Sequence, residues 1–198
     1  LSSYLRAKFG RDRAIHFSAS IAMEQNYGGV EGDSATMAEL AALISAITDL
    51  PIRQDVGITG SMNQMGEIQP IGGVNVKIEG FFAACQLKGF TGTQGVIIPQ
   101  QNVRHLMLRP EIVQAVEQGL FTVHAVGHAE EALELLLGVP MGVANSKGKY
   151  PEQSVMGRVL AQLKQWHKID KGDKPKKSKK SKKDKKTGDH KDGKDGDV

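Results

Sequence analysis

The stretch from Tyr27 to Leu43, YGGVEGDSATMAELAAL, constrains this chain more than any other. Gly28 and Gly29 loosen the backbone, and Gly32 with Asp33 supplies residue types that turn sharply or cap a helix. Immediately afterwards Met37, Leu40, Ala41, Ile44 and Ile47 recur at helical spacing and define one apolar face. A glycine-rich approach therefore delivers a single serine, Ser34, to the start of a helix that must bury one side. Two readings of that serine stand at this point. A Gly-Asp-Ser ahead of an apolar periodic run is ordinary N-cap chemistry. The same position also suits a nucleophile, because the unpaired N–H groups and positive dipole end of a helix start can stabilise a developing oxyanion.

The 198 residues have room for one full domain and an appendage. The appendage is the segment Lys168 to Val198, with 13 Lys and 7 Asp, no aromatic residue, and Ile169 and Val198 as its large apolar side chains. Such a composition cannot bury enough apolar surface to offset ordering entropy, so it reads as a disordered basic tail. Setting those residues apart from the chain's 26 basic and 22 acidic ones leaves 13 and 15, so residues 1 to 167 are slightly acidic, and the positive sign of the net charge of +4 comes from the tail. The tail lacks aromatic residues for base stacking and arginine for bidentate phosphate contacts, which favours a solvated, solubilising role over nucleic-acid binding. Cys85 is the single cysteine, which excludes an intramolecular disulfide and agrees with a reducing cytosol, so a cytoplasmic location is expected. No stretch approaches the roughly 20 apolar residues that span a bilayer, so no membrane partner is expected, and Leu1 to Gly10 lacks the apolar core of a secretory signal. LSSYLRAKF reads as an amphipathic helix already under way, as in a fragment of a longer protein.

Taken in order, Ala14 to Met23 alternates apolar and polar residues and predicts a half-buried strand, and Gln25 to Gly32 predicts a loop. The helix after Ser34 should end near Asp49, ahead of Pro51. Asp55 to Met62 reads as one strand, and the piece beginning at Gly66 as an edge segment because of Pro70. Val74 to Gln86 predicts a second helix with Ile78, Phe81, Phe82 and Cys85 on its apolar face. Gly95 to Pro99 and Phe121 to Ala125 predict short strands. Between them Pro110 to Gln118 is a helix, with Val113 and Val116 as its apolar pair. His128 to Leu137 is a further helix closed by Gly138 and Pro140. Helices mixed with short strands make an α+β (or α/β) domain without internal repeats. We place it at residues 1–140, followed by a linker with an amphipathic helix over 141–167 and the tail over 168–198; the helix falls at Met156 to Trp166.

A serine hydroxyl needs a base to take its proton. None of His16, His105, His124, His128, His167 and His190 has a local signature pairing it with Ser34. A lysine serves instead where burial and a positive dipole favour its neutral form. Lys77 suits this: it is the sole lysine between Lys8 and Lys88, and it lies in the first turn of a predicted helix after PIGGVNV, flanked by Val76 and Ile78. An exposed helix lysine is the competing reading.

The run from Glu31 to Phe81 contains GDSA around Ser34, PIRQD, ITGS, a G-x-x-x-P-I-G-G at Gly66 to Gly73, and Lys77 four residues after the second glycine of that pair. It strongly resembles the proteolytic domain of the Lon family of ATP-dependent proteases, and GVIIPQQNVRHL and FTVHAV extend the resemblance over Leu1 to Leu137. The resemblance implies a Lon-type fold and a serine endopeptidase acting on polypeptides. In it Ser34 is the nucleophile and Lys77 the general base of a Ser-Lys dyad, and Thr59 orients the lysine. Asp33 is a supporting residue that complicates the account, since a carboxylate there favours a charged Lys77. Either the loop turns Asp33 away or an Asp33–Lys77 ion pair holds a resting state.

The family joins this domain to an ATPase module, yet no G-x-x-x-x-G-K-[ST] occurs here. ATP and magnesium are thus expected for a separate ATPase module, with no cofactor or metal in this chain. The resemblance further implies a homo-oligomeric ring and an N-terminally truncated domain whose sheet edge is exposed. Two other classes remain: a non-catalytic regulatory or interaction module of the same fold, and a nucleic-acid-associated protein working through the tail.

Overall fold

A computed structural model describes residues 1–10, 15, 17–23 and 32–172. The loop expected over Gln25 to Gly32 lies almost wholly outside the described residues, as does the tail from residue 173.

Three strands form a parallel sheet: β1 (Val56–Ile58), β4 (Gly95–Pro99) and β5 (Thr122–Val126), in the order β1-β4-β5. Val56 pairs with Gly95, and Ile97 with both Ile58 and His124. Parallel neighbours need crossover connections, and helices supply them. The path from β1 to β4 runs through a small antiparallel pair, β2 (Ser61–Met62) with β3 (Ile68–Gln69), and then α3 (Val74–Lys88). The path from β4 to β5 runs through a 3-10 turn at Gln100–His105 and α4 (Pro110–Glu117). The remaining helices are α1 (Ser2–Phe9), α2 (Thr36–Thr48), α5 (Ala129–Leu137) and α6 (Val155–Asp170).

The central strand explains the layering. All five residues of GVIIP are buried, as a strand covered on both faces requires. Ile97 faces one apolar cluster, built from α1, α2, α5 and α6 through Tyr4, Leu40, Ile44, Leu133, Leu136, Val159 and Leu163. Val96 and Ile98 face a second, in which α3 and α4 place Val74, Ile78, Phe82, Ile112 and Ala115 beside Phe121. Helices therefore cover both sides of the sheet, α2 on one and α3 on the other. The expected mixture of helices and short strands is what the chain forms, and the apolar face read from Met37 to Ile47 is buried throughout. Among the described residues no helix is long and apolar enough to cross a membrane.

Several expectations need correction. Residues 17–23 join neither sheet; Ile15 and Phe17 pack on the first cluster, Phe17 against Trp166 with ring centroids 5.6 Å apart, while 18–23 are exposed. Alternation makes a segment suitable for a strand, but a strand exists only with a ladder partner, and among the described residues these have none. The strand expected over Asp55 to Met62 breaks at Thr59 and Gly60 and continues in the other sheet as β2. On α4 the buried pair is Ile112 and Ala115, whereas Val113 and Val116 are 43% and 39% exposed. Both pairs have helical spacing; docking against Ile98 and Phe121 chose between them.

The helix read over Met156 to Trp166 spans Val155–Asp170, and Val155, Met156, Val159 and Leu163 are buried against the first cluster; Lys168 to Asp170, expected at the start of the disordered tail, are therefore helical, because the last turns of α6 propagate from its docked face. Ser154 caps it, its Oγ accepting from the Gly157 N–H at 3.1 Å. The RQD of PIRQD also has a structural task. Arg53 forks onto Asp55, with Nε to Oδ1 at 3.0 Å and Nη2 to Oδ2 at 2.8 Å, and donates to the Thr93 carbonyl at 2.9 Å. The approaches to β1 and β4 are thereby tied together.

Gly157→Ala should destabilise the protein. Alanine ordinarily improves a helix by up to about 1 kcal/mol relative to glycine, but a Cβ here would run into the Pro151 carbonyl oxygen. A urea midpoint at or above wild type would show that the Pro151 to Ser154 turn can withdraw. A second expectation concerns acid. The hydrogen bond from Arg53 outweighs burial and lowers the Asp55 carboxyl from 3.8 to about 2. A lowered folded value means stabilisation that is complete above 3.8 and lost as pH falls towards 2. Asp55→Asn should flatten that part of the stability-pH curve, measured by denaturant titration at stepped pH.

Candidate active site

Two helix starts on opposite faces of the sheet meet beyond the carboxyl end of β1. α2 has no side-chain cap: its N-cap is Ala35, and the turn before it is closed by Thr36, whose N–H and Oγ1 reach the Asp33 carbonyl at 3.0 and 2.5 Å. Ser34 is half-buried, and its hydroxyl is left for another partner. α3 starts at Gly73, which adopts φ 68°, a left-handed conformation that glycine enters without steric cost. The Lys77 N–H then bonds the Gly73 carbonyl at 3.1 Å, fixing Lys77 in the first turn.

From there the Lys77 amine donates to Ser34 Oγ at 2.9 Å and to Thr59 Oγ1 at 3.3 Å. Thr59 follows β1 directly, its N–H on the Ile97 carbonyl at 3.1 Å, and its own hydroxyl donates to the Ser34 carbonyl at 3.3 Å. The sequence left Ser34 open between cap and nucleophile; its Oγ is bonded to Lys77 and performs no capping. Ser34, Lys77 and Thr59 are thus brought together. Two of the histidines lie elsewhere: His124 is on β5, where burial first and the Arg53 charge second lower its pKa, and His128 leads into α5 beside Glu130.

Asp33 does not join this group. Its Oδ2 accepts a hydrogen bond from the buried Ser61 hydroxyl at 2.6 Å, and among the described residues no ion pair links it to Lys77. Of the two arrangements open from the sequence, the carboxylate turned aside is the one present. The burial expected around Lys77 is only partly in place. Lys77 itself is exposed; Ile78 is buried but Val76 is 72% exposed, since residues 76 and 78 point to opposite sides of α3.

A cavity of about 320 Å³ opens beside Ser34 and Lys77. Its wall is mostly apolar, from Ala38 of α2, Ile58 of β1, Ile78 and Phe81 of α3, and Val96 and Ile98 of β4. Gly57 completes it: a Cβ there would lie 3.1 Å from the Phe81 ring, so the absence of a side chain lets that ring lie against the strand. Sequence reading placed Phe81 in the core and gave no role to Gly57 or Ser61. The one available signal for Phe81 was its place one helical turn after Lys77. Among the described residues there is no group of three or more His, Cys, Asp or Glu able to hold a metal ion.

Residues 2–139 match a family described as the Lon protease (S16) C-terminal proteolytic domain. A protein of Escherichia coli (strain K12) named "Putative Lon protease homolog" is 48% identical over 165 residues, 83% of this chain and 28% of that protein. An archaeal Lon protease of Pyrococcus abyssi is 36% identical over 139 residues, 63% of this chain and 13% of that protein. The chain thus spans under a third of either relative.

Gly73→Ala should cost about 1 to 2 kcal/mol, the ordinary penalty of a left-handed L-residue, because a Cβ there meets nothing within 4 Å and the strain is purely conformational. Gly73→Asn should cost less. Equal urea midpoints for wild type and Gly73→Ala would show that α3 can start without the left-handed residue.

Proposed function

From its membership of the Lon protease (S16) C-terminal proteolytic domain family, and from the three-way contact of Lys77 with Ser34 and Thr59, we propose that this chain hydrolyses peptide bonds with a Ser-Lys dyad. Ser34 Oγ attacks the scissile carbonyl carbon while its proton passes to the neutral Lys77 amine, 2.9 Å away. The tetrahedral intermediate collapses as Lys77 returns that proton to the leaving amine. An ester on Ser34 remains; Lys77 then takes a proton from the water that attacks it and passes that proton to Ser34 Oγ as the carboxylic acid product leaves. Thr59 accepts one amine hydrogen and so aims the nitrogen at Ser34. The oxyanion would be met by N–H groups ahead of Thr36, since the Thr36 and Met37 N–H groups are already bonded to the Asp33 and Gly60 carbonyls.

Substrate binding supplies the dryness that the open site lacks. A polypeptide laid across the cavity mouth would cover the Lys77 amine and exclude water, which favours the uncharged base. The apolar wall suits an aliphatic or aromatic side chain next to the cleaved bond.

The 2.9 Å distance from Lys77 Nζ to Ser34 Oγ carries this reading over a non-catalytic module of the same fold, because it puts a base within reach of the proton it must take. The wider setting is also part of the proposal: polypeptide substrates delivered by an ATPase module that uses ATP and magnesium, a homo-oligomeric ring, and a cytoplasmic location.

Ser34→Ala should abolish turnover of a fluorogenic peptide and leave folding unchanged, because a half-buried hydroxyl is lost with little volume. Lys77→Arg keeps charge and approximate length but cannot deprotonate, so it should fold and be inactive. General-base catalysis contributes about 10² to 10⁴-fold; a Lys77→Arg protein retaining more than about a tenth of the wild-type rate would place the base elsewhere, and equal rates in wild type and Ser34→Ala would remove the assignment altogether.

A further inference from the structure

The turn that carries Ser34 is gripped by the segment linking β1 to β2. The Gly60 N–H donates to the Ser34 carbonyl at 2.8 Å, the Met37 N–H donates to the Gly60 carbonyl at 3.2 Å, and Thr59 Oγ1 donates to the Ser34 carbonyl at 3.3 Å. These bonds hold the peptide unit that leaves Ser34. Ser61 acts on the other side, donating to Asp33 Oδ2 at 2.6 Å.

The energetics of that bond are unusual for its surroundings. Asp33 is exposed, so water could solvate its carboxylate without help. Ser61 is 4% exposed and sits on β2, paired with Gln69. A buried hydroxyl on a paired strand thus holds a charged group beside the nucleophile, in the short, strong class of hydrogen bond with an ionised acceptor. Asp33 passes the restraint on, since its carbonyl receives both the N–H and the hydroxyl of Thr36 at the start of α2.

We propose that Ser61 is a positioning residue of the active site: its hydroxyl anchors Asp33 to β2 and thereby fixes the residue before Ser34, so that the serine is held from both sides and its Oγ is aimed at the Lys77 amine. Ser61 bonds neither Ser34 nor Lys77 and acts through Asp33 alone. The kinetic consequence rests on the peptidase reading; the conformational one does not. An error of about 1 Å in a reacting group can cost on the order of 10²-fold in rate, which sets the size of the effect.

The test combines steady-state kinetics on a fluorogenic peptide with amide hydrogen exchange at Thr36 and Met37, using Ser61→Ala, Ser61→Thr, Asp33→Ala and the double variant Ser61→Ala/Asp33→Ala. Ser61→Ala should lower kcat by about 10- to 100-fold with KM within about twofold, since alignment rather than binding is lost. Ser61→Thr keeps the hydroxyl on a strand that accepts β-branched residues, so it should stay within about threefold. Asp33→Ala cuts the same bond from an exposed position, and the double variant should be no slower than the slower single one by more than about twofold. Exchange at Thr36 and Met37 should quicken by about tenfold in Ser61→Ala and Asp33→Ala and not in Ser61→Thr. Multiplying losses in the double variant, or unchanged exchange in both alanine variants, would overturn the proposal. Should the wild type show no Ser34-dependent turnover, the peptidase reading fails and the exchange data alone decide on Ser61. Should Ser61→Ala not fold, Asp33→Ala and Ser61→Thr decide it.

Discussion

Burial of β4 on both faces is the constraint on which the rest of this structure depends. A strand reading GVIIP, with Ile97 turned one way and Val96 and Ile98 the other, needs an apolar layer on each side. α2 and α3 supply parts of those two layers, so their first turns cannot lie side by side along one face. They meet instead around the end of β1. There the chain leaves the sheet, and the backbone N–H and carbonyl of Gly60 bond the Ser34 turn and the start of α2 rather than a neighbouring strand. A site at the carboxyl ends of parallel strands is the general solution for open sheets covered on both sides. Here it takes the form of an amine from one face and a hydroxyl from the other, with the Thr59 hydroxyl between them.

The chemistry at that place reflects a balance between solvation and geometry. Nothing in the described residues seals the Lys77 amine from water, and the acidic neighbour that would hold it charged is engaged by Ser61. The site as it stands is therefore aligned but wet. Alignment comes from the bonds of Thr59, Gly60 and Ser61 to the Ser34 turn, and from the left-handed Gly73 that begins α3. Dryness has to come from whatever covers the cavity. The same separation accounts for the break in the strand expected over Asp55 to Met62: Gly60 spends its N–H and carbonyl on the Ser34 carbonyl and the Met37 N–H, which a continuous ladder would have used.

Much of this was legible in the sequence, and for definite reasons. The Met37 to Ile47 periodicity, the helix start after PIGG, and the uniformly apolar GVIIP are local patterns whose burial follows from period and length. GDSA, ITGS and the lysine four residues beyond Gly73 marked the three side chains that the fold brings into contact. What could not be read were choices between locally equivalent options. Val113 and Val116 have the same spacing as Ile112 and Ala115, and only the position of Ile98 and Phe121 decided which pair is buried. Alternation in residues 15–23 suits a strand, but pairing is a property of two segments.

By itself, then, the sequence determined which segments are helices, which stretch is buried on both faces, and which residue types stand at the two helix starts, because each is a matter of period, turn chemistry and composition within a few residues. Only the tertiary structure decided that the Ser34 hydroxyl faces an amine rather than capping its own helix, that Asp33 turns to Ser61 rather than Lys77, and that Gly57 and Phe81 shape the cavity beside them. Those outcomes join residues as many as 43 positions apart. They depend on where the packing of two apolar layers brings the ends of the helices, which no local pattern specifies.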